Sequence, residues 1–89
     1  MPTVSFTRAL ERFLPAPATV VEGATVGAAL AAVFASRPAL RGYVLDDQGA
    51  LRRHVAVYVN GRLVSDRTGL TDPVGRRDEI YVFQALSGG

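Results

Sequence analysis

The chain contains no cysteine. Disulfides, thiolate nucleophiles and thiolate metal sites are excluded together. It also contains no lysine: all ten cationic residues are arginine. Without an ε-amine, Schiff-base chemistry and side-chain acylation have no lysine to act on. No apolar run approaches the ~18 residues that a membrane helix needs, so no membrane partner is expected. The opening Met1-Pro2-Thr3-Val4 has neither the charged nor the apolar region of a secretion signal, and a cytoplasmic location is the expectation. A basic stripe with interleaved aromatics is missing too. The net charge is only +2, the pairs Arg52-Arg53 and Arg76-Arg77 are short, and Asp78-Glu79 follows the second directly. Nucleic acid is therefore not an expected partner. Catalytic constellations are equally scarce. His54 is the only histidine and has no acid–nucleophile pair near it in sequence. Asp46-Asp47 is not followed by a calcium-type ligand series, so no metal is expected. Ser87 lacks the strand–turn–helix setting of a nucleophile elbow, and no phosphate-binding glycine loop occurs. A free-standing enzyme is not the expectation.

What is present is an ordinary globular composition, 48% hydrophobic and 20% charged over 89 residues. That is enough for a single small domain over residues 1–89. Residues 3–8 alternate, with Val4 and Phe6 toward a core, which predicts a strand. Pro15 and Pro17 break the chain, and residues 18–22 read as a second strand that could form an antiparallel hairpin with the first. Gly23 marks a turn. Thr25 is placed to cap a helix. Val26, Ala29, Leu30, Val33 and Phe34 then fall at i, i+3, i+4, i+7 and i+8, one apolar stripe. Pro38 stops this helix; residues 39–45 suggest a further turn or two, and residues 46–49 a loop. From His54 to Val59 the alternation returns, with Val55, Val57 and Val59 on one face and Ala56 and Tyr58 on the other. Asn60-Gly61 is a hairpin turn in which both residues tolerate positive φ, and residues 62–64 return as a short strand. Residues 65–77 read as irregular. Residues 79–85 form the last strand, Ile80 and Val82 inward, Tyr81 and Phe83 outward. One main helix across one face of a mixed four- to five-stranded sheet is a two-layer α+β solution. Its order and size match a β-grasp, the ubiquitin-like fold.

The last strand leads into Ser87-Gly88-Gly89. Glycine has no Cβ, so such a tail can thread a channel too narrow for any side chain and carry the Gly89 carboxylate into an active site on another protein. Tyr58, Tyr81 and Phe83 share the outward face of two neighbouring strands. They form either a docking patch or a simple cover for the sheet. Arg62, Arg76 and Arg77 could meet an acidic partner or remain solvated loop charges.

The hairpin lead-in Val57-Tyr58-Val59-Asn60-Gly61, Gly69-Leu70, Asp78-Glu79 and the ending Ala85-Leu86-Ser87-Gly88-Gly89 together resemble the ThiS/MoaD family of ubiquitin-like sulfur carriers. The segment Leu51-Arg52-Arg53-His54-Val55 is most similar to the carriers used in cysteine biosynthesis, the CysO-like branch. Two features depart from the pattern: Arg76-Arg77-Asp78 stands where many members have Gly-Asp, and Gln84 where molybdopterin-type members often have proline. The resemblance implies a carrier, not an enzyme. It binds no cofactor itself. An E1-like adenylyltransferase/sulfurtransferase uses ATP to adenylate Gly89, and sulfur then converts the acyl-adenylate to a thiocarboxylate. A downstream biosynthetic enzyme accepts that sulfur, for cysteine, molybdopterin, thiamine or tRNA thiolation. Ser87 and Gly88 would thread the partner's active site. Tyr58, Tyr81, Phe83, Leu86, Arg62, Arg76 and Arg77 would dock its surface. Two alternatives share the fold: a ubiquitin-like modifier conjugated through Gly89, and a non-covalent β-grasp interaction module.

Overall fold

The computed structural model describes residues 1–7 and 18–84; the breaks expected at Pro15 and Pro17 lie outside them. Seven elements follow in chain order: β1 (Thr3–Phe6), β2 (Ala18–Val20), α1 (Val26–Ser36), α2 (Pro38–Val44), β3 (Val55–Val59), β4 (Arg62–Leu63) and β5 (Glu79–Gln84). The strands form one sheet in the order β2-β1-β5-β3-β4. β1 and β5 run parallel, and every other pair is antiparallel, including the β1–β2 hairpin. This is the mixed sheet of a β-grasp. The further helical turns suggested by residues 39–45 form a second helix beside the one main helix expected, and Pro38 does more than end α1. Proline at the first position of a helix has a preset φ and lacks only an N–H that would be unpaired anyway, so Pro38 opens α2.

Strand alternation sends one side chain in two to the core. Val4, Phe6, Val55, Val57, Ile80 and Val82 are all buried, and so are Val26, Ala29, Leu30 and Val33 of α1 with Leu40 and Val44 of α2. Full burial of one such aliphatic side chain is worth about 1.5–3 kcal/mol, which makes this interdigitation the main stabilising contact of the domain. Asn60 and Gly61 both adopt positive φ, 51° and 83°, the conformation that a tight hairpin between right-twisted strands requires. The Asn60 amide also donates to Asp78 and accepts from the Glu79 N–H, both at 2.9 Å, tying the hairpin to the start of β5.

Residues 65–75, which pattern alone leaves irregular, are the most densely hydrogen-bonded loop among the described residues, and two carboxylates organise it. Asp66 accepts from the N–H groups of Thr68, Gly69 and Thr71 and from the Thr71 hydroxyl, the last at 2.6 Å. Asp72 accepts from the N–H groups of Ser65 and Asp66, both at 2.9 Å. The loop in turn finishes the start of α1. A helix begins with four N–H groups that lack intrahelical partners. Here Val26 donates to the Asp72 carbonyl and Gly27 to the Leu70 carbonyl, each at 2.9 Å. Ala28 donates to the Thr25 hydroxyl at 3.1 Å, the cap that the sequence predicts. The approach is tight: a Cβ on Gly27 would lie 3.2 Å from the Leu70 carbonyl oxygen. Leu70 itself buries its side chain while holding φ at 55°, an uncommon angle for a branched residue.

The Thr71 hydroxyl and the Gly69 N–H hold Asp66 down to a pKa of about 2, from 3.8. The Ser65 and Asp66 N–H groups lower Asp72, and the Gly75 N–H and Asn60 amide lower Asp78. A depressed carboxylate stabilises the fold fully above its unfolded pKa and loses that contribution as pH falls toward its folded pKa. Denaturant unfolding should therefore show stability falling between about pH 4 and pH 2. Asp66→Asn should be less stable than wild type at pH 7 and should lose less across that acid window. Separately, Thr25→Ala should cost about 1 kcal/mol through the lost cap, read as a lowered denaturation midpoint at unchanged slope.

Candidate functional site

The helices cover one face of the sheet, and among the described residues no element covers the other. Strand register assembles its residues into rows. Leu63 lies beside Tyr58, Tyr58 beside Tyr81, Tyr81 beside Ser5 and Ser5 beside Ala18, one row across all five strands. The next row toward the C-terminal end of β5 pairs Ala56 with Phe83. Tyr81 and Phe83 are 40% and 41% exposed and Leu63 is 52% exposed; Tyr58, between Leu63 and Tyr81, is half-buried. The aromatic grouping expected from alternation is thus a contiguous apolar surface, extended by Leu63 at one side. Leu63 is absent from the sequence-based patch. The signal for it was parity: two strand positions past a two-residue turn, it pairs with Tyr58 and must share its face.

The arginines divide differently. Arg62 pairs with Val59, and Arg76 and Arg77 precede Asp78 at the opening of β5. All three are exposed and lie at the end of the sheet where β5 starts. Gln84, the last residue of β5, is at the other end, where it pairs with Val55 and donates its N–H to the Thr7 hydroxyl at 3.2 Å. The six residues of β5 put ~17–20 Å between these ends. The structure therefore brings Tyr58, Tyr81 and Phe83 together and sets Arg62, Arg76 and Arg77 apart from the root of the tail. Leu86, Ser87, Gly88 and Gly89 lie outside the described residues. His54 sits in the turn before β3 rather than in the strand.

The described residues hold no cluster of three or more metal-ligating side chains and no buried side-chain polar atom without a partner. None of their helices is long and apolar enough to cross a membrane. The candidate site is thus a surface and a strand end.

The model of the ThiS family matches residues 11–89. This chain belongs to the ThiS family. It is 38% identical over 66 residues to small archaeal modifier protein 1 of Haloferax volcanii, covering 74% of this chain and 71% of that protein. The crystal structure of that modifier superposes with a TM-score of 0.84 at 30% identity, covering 99% of this chain and 98% of the other. A chain of the Amycolatopsis orientalis BexX/CysO complex superposes with a TM-score of 0.87 at 26% identity, over all of both chains. The protein is accordingly one of the ubiquitin-like β-grasp proteins of the sulfur-carrier and modifier type, a family of small carriers and modifiers rather than enzymes. Within the ThiS-type sheet, Tyr81 and Phe83 are too exposed to contribute much to the core. Tyr81→Ser/Phe83→Ser should retain the cooperative unfolding of wild type, with stability changed by about 1 kcal/mol or less, measured by thermal denaturation.

Proposed function

We propose that this protein is a sulfur carrier loaded at Gly89. The observation that carries the reading is the family match running through Gly89, beyond a last strand paired with β1 as far as Val82 and with β3 as far as Gln84. In this mechanism an E1-like adenylyltransferase/sulfurtransferase docks the open face of the sheet, with Tyr58, Tyr81, Phe83 and Leu63 as apolar anchors and Leu86 at the root of the tail. Arg62, Arg76 and Arg77 give the same partner a polar contact at the far end. Ser87 and Gly88 pass through its channel. Five residues follow Gln84, a reach of at most about 17 Å, so Gly89 can enter a site well below the docking surface.

The chemistry needs activation because a carboxylate is a poor electrophile. Attack of the Gly89 carboxylate on the α-phosphorus of ATP expels pyrophosphate and forms an acyl-adenylate. Sulfur from a persulfide attacks the acyl carbon and AMP leaves. After the sulfur–sulfur bond is reduced by a thiol, Gly89 bears a thiocarboxylate, a good nucleophile at neutral pH as thiolates are. ATP belongs to the partner, and the carrier binds no cofactor of its own. The composition supports the assignment of the carrier atom, since a chain without cysteine has no side-chain thiol to hold sulfur. The downstream acceptor is a biosynthetic enzyme working in the cytoplasm. The similarity to a chain of the BexX/CysO complex supports a partner protein for the carrier. The similarity to small archaeal modifier protein 1 favours a second reading, conjugation of the same activated end to amines on other proteins.

Incubation with ATP, an E1-like enzyme and a sulfur source, followed by intact-mass analysis, should show one oxygen replaced by sulfur, confined to the last residue. Deleting Gly89 or adding one residue after it should abolish the change, whereas Tyr81→Ser/Phe83→Ser should slow it at least tenfold, through the loss of two docking anchors. A wild-type protein that never gains sulfur with its cognate activator would refute the carrier; amine conjugates lost on Gly89 deletion would move the assignment to the modifier.

A further inference from the structure

The register of β3 against β5 has a consequence at the root of the tail. Val55 pairs with Gln84, so the turn immediately before Val55 stands beside the last described residue of β5. That turn is Arg52 to Val55, closed by the Val55 N–H donating to the Arg52 carbonyl at 3.0 Å. It is anchored on two further sides. The Arg67 guanidinium donates to the same Arg52 carbonyl at 2.8 Å, and the Arg52 guanidinium donates through Nε to the Gly42 carbonyl at 2.7 Å. The Arg52 N–H donates to the Val44 carbonyl at 3.0 Å. Arg52 and Arg67 are thus engaged in fixing the backbone.

The two corner residues, Arg53 and His54, are in a different position. Both are exposed, and among the described residues neither side chain has a hydrogen-bond or ion-pair partner. The carboxylates of Asp46 and Asp66, on the flanking loops, are turned to their own backbone N–H groups. A guanidinium and an imidazole are therefore presented to solvent on a rigid corner, next to the base of the tail. This is a different end of the molecule from Arg62, Arg76 and Arg77.

We propose that the Arg53–His54 corner is a second partner-contacting point, a cationic and hydrogen-bond-donating guide that meets a carboxylate-bearing rim around the partner channel taking up the tail. The inference rests on the carrier reading above. The fit to an acidic rim follows from the chemistry of the corner: the guanidinium is a planar multiple donor suited to bidentate carboxylate contacts, and the surrounding guanidiniums of Arg52 and Arg67 add positive potential without competing for the partner. Charges at the edge of an interface act chiefly on encounter and on its salt dependence.

The test is adenylation of the full chain by its activating enzyme, followed as pyrophosphate release at low and high salt. Arg53→Gln/His54→Gln should raise the KM for the carrier about fivefold at low salt, for two exposed polar contacts. It should leave kcat unchanged, and the gap should close as salt is raised. Arg53→Lys/His54→Gln, which keeps the charge, should recover part of the loss. Arg37→Gln removes the same unit of charge far from the tail and should behave as wild type. Thermal unfolding at the wild-type midpoint establishes that each variant is folded. A KM equal to wild type in Arg53→Gln/His54→Gln, an equal deficit in Arg37→Gln, or a defect confined to kcat would overturn the guide while leaving the carrier intact. Failure of wild type itself to be adenylated would remove the carrier reading and the guide with it.

Discussion

The placement of β5 between β1 and β3 governs the rest of the molecule. Both of its edges are hydrogen-bonded, one side to a parallel neighbour and the other to an antiparallel one. Ile80 and Val82 are fully buried against the helices while Tyr81 and Phe83 remain at the open face. Because side chains alternate with a period of two, a slip of one residue would exchange these sets, burying the aromatics and exposing the aliphatic core. A single register therefore secures the core and the composition of the outer surface. The shared position of Val55 and Gln84 belongs to the same register, which is why a turn far away in sequence comes to lie beside the described end of β5.

The loop of residues 65–75 supports that arrangement from the opposite side. It supplies carbonyl acceptors to the first N–H groups of α1, and Asp66 and Asp72 keep it in shape. The helix has no acidic residue in its first turn, so its dipole is met by backbone carbonyls and a threonine hydroxyl instead of a formal charge. Burial of Val64, Leu70 and Val74 fastens the loop to the same core that the sheet and helices share.

Much of this was legible in the sequence, and the reasons differ by element. The stripe from Val26 to Phe34 and the alternation from Val55 to Val59 were readable because each buries one face, which leaves a period. Asn60-Gly61 was readable because few dipeptides accept two positive φ angles. The second helix was less visible: Pro38 ends one helix and begins another, and proline serves both roles. The organisation of residues 65–75 left no periodic trace, since its order comes from carboxylates accepting backbone N–H groups a few residues away. Leu63 and the Arg53–His54 corner owe their significance to strand pairing. The aromatic surface lay within reach of parity alone, whereas the separation of Arg62, Arg76 and Arg77 from the tail required knowing which end of β5 each one occupies.

The two described strands at the margins of the sheet are very short, three residues in β2 and two in β4. An unpaired margin is a template on which another chain can extend a sheet, and shortness removes most of that template. The molecule thereby separates stickiness from polymerisation. Its greasy side invites a visitor lying flat across the strands, while its described flanks give an incoming strand few amides to pair with.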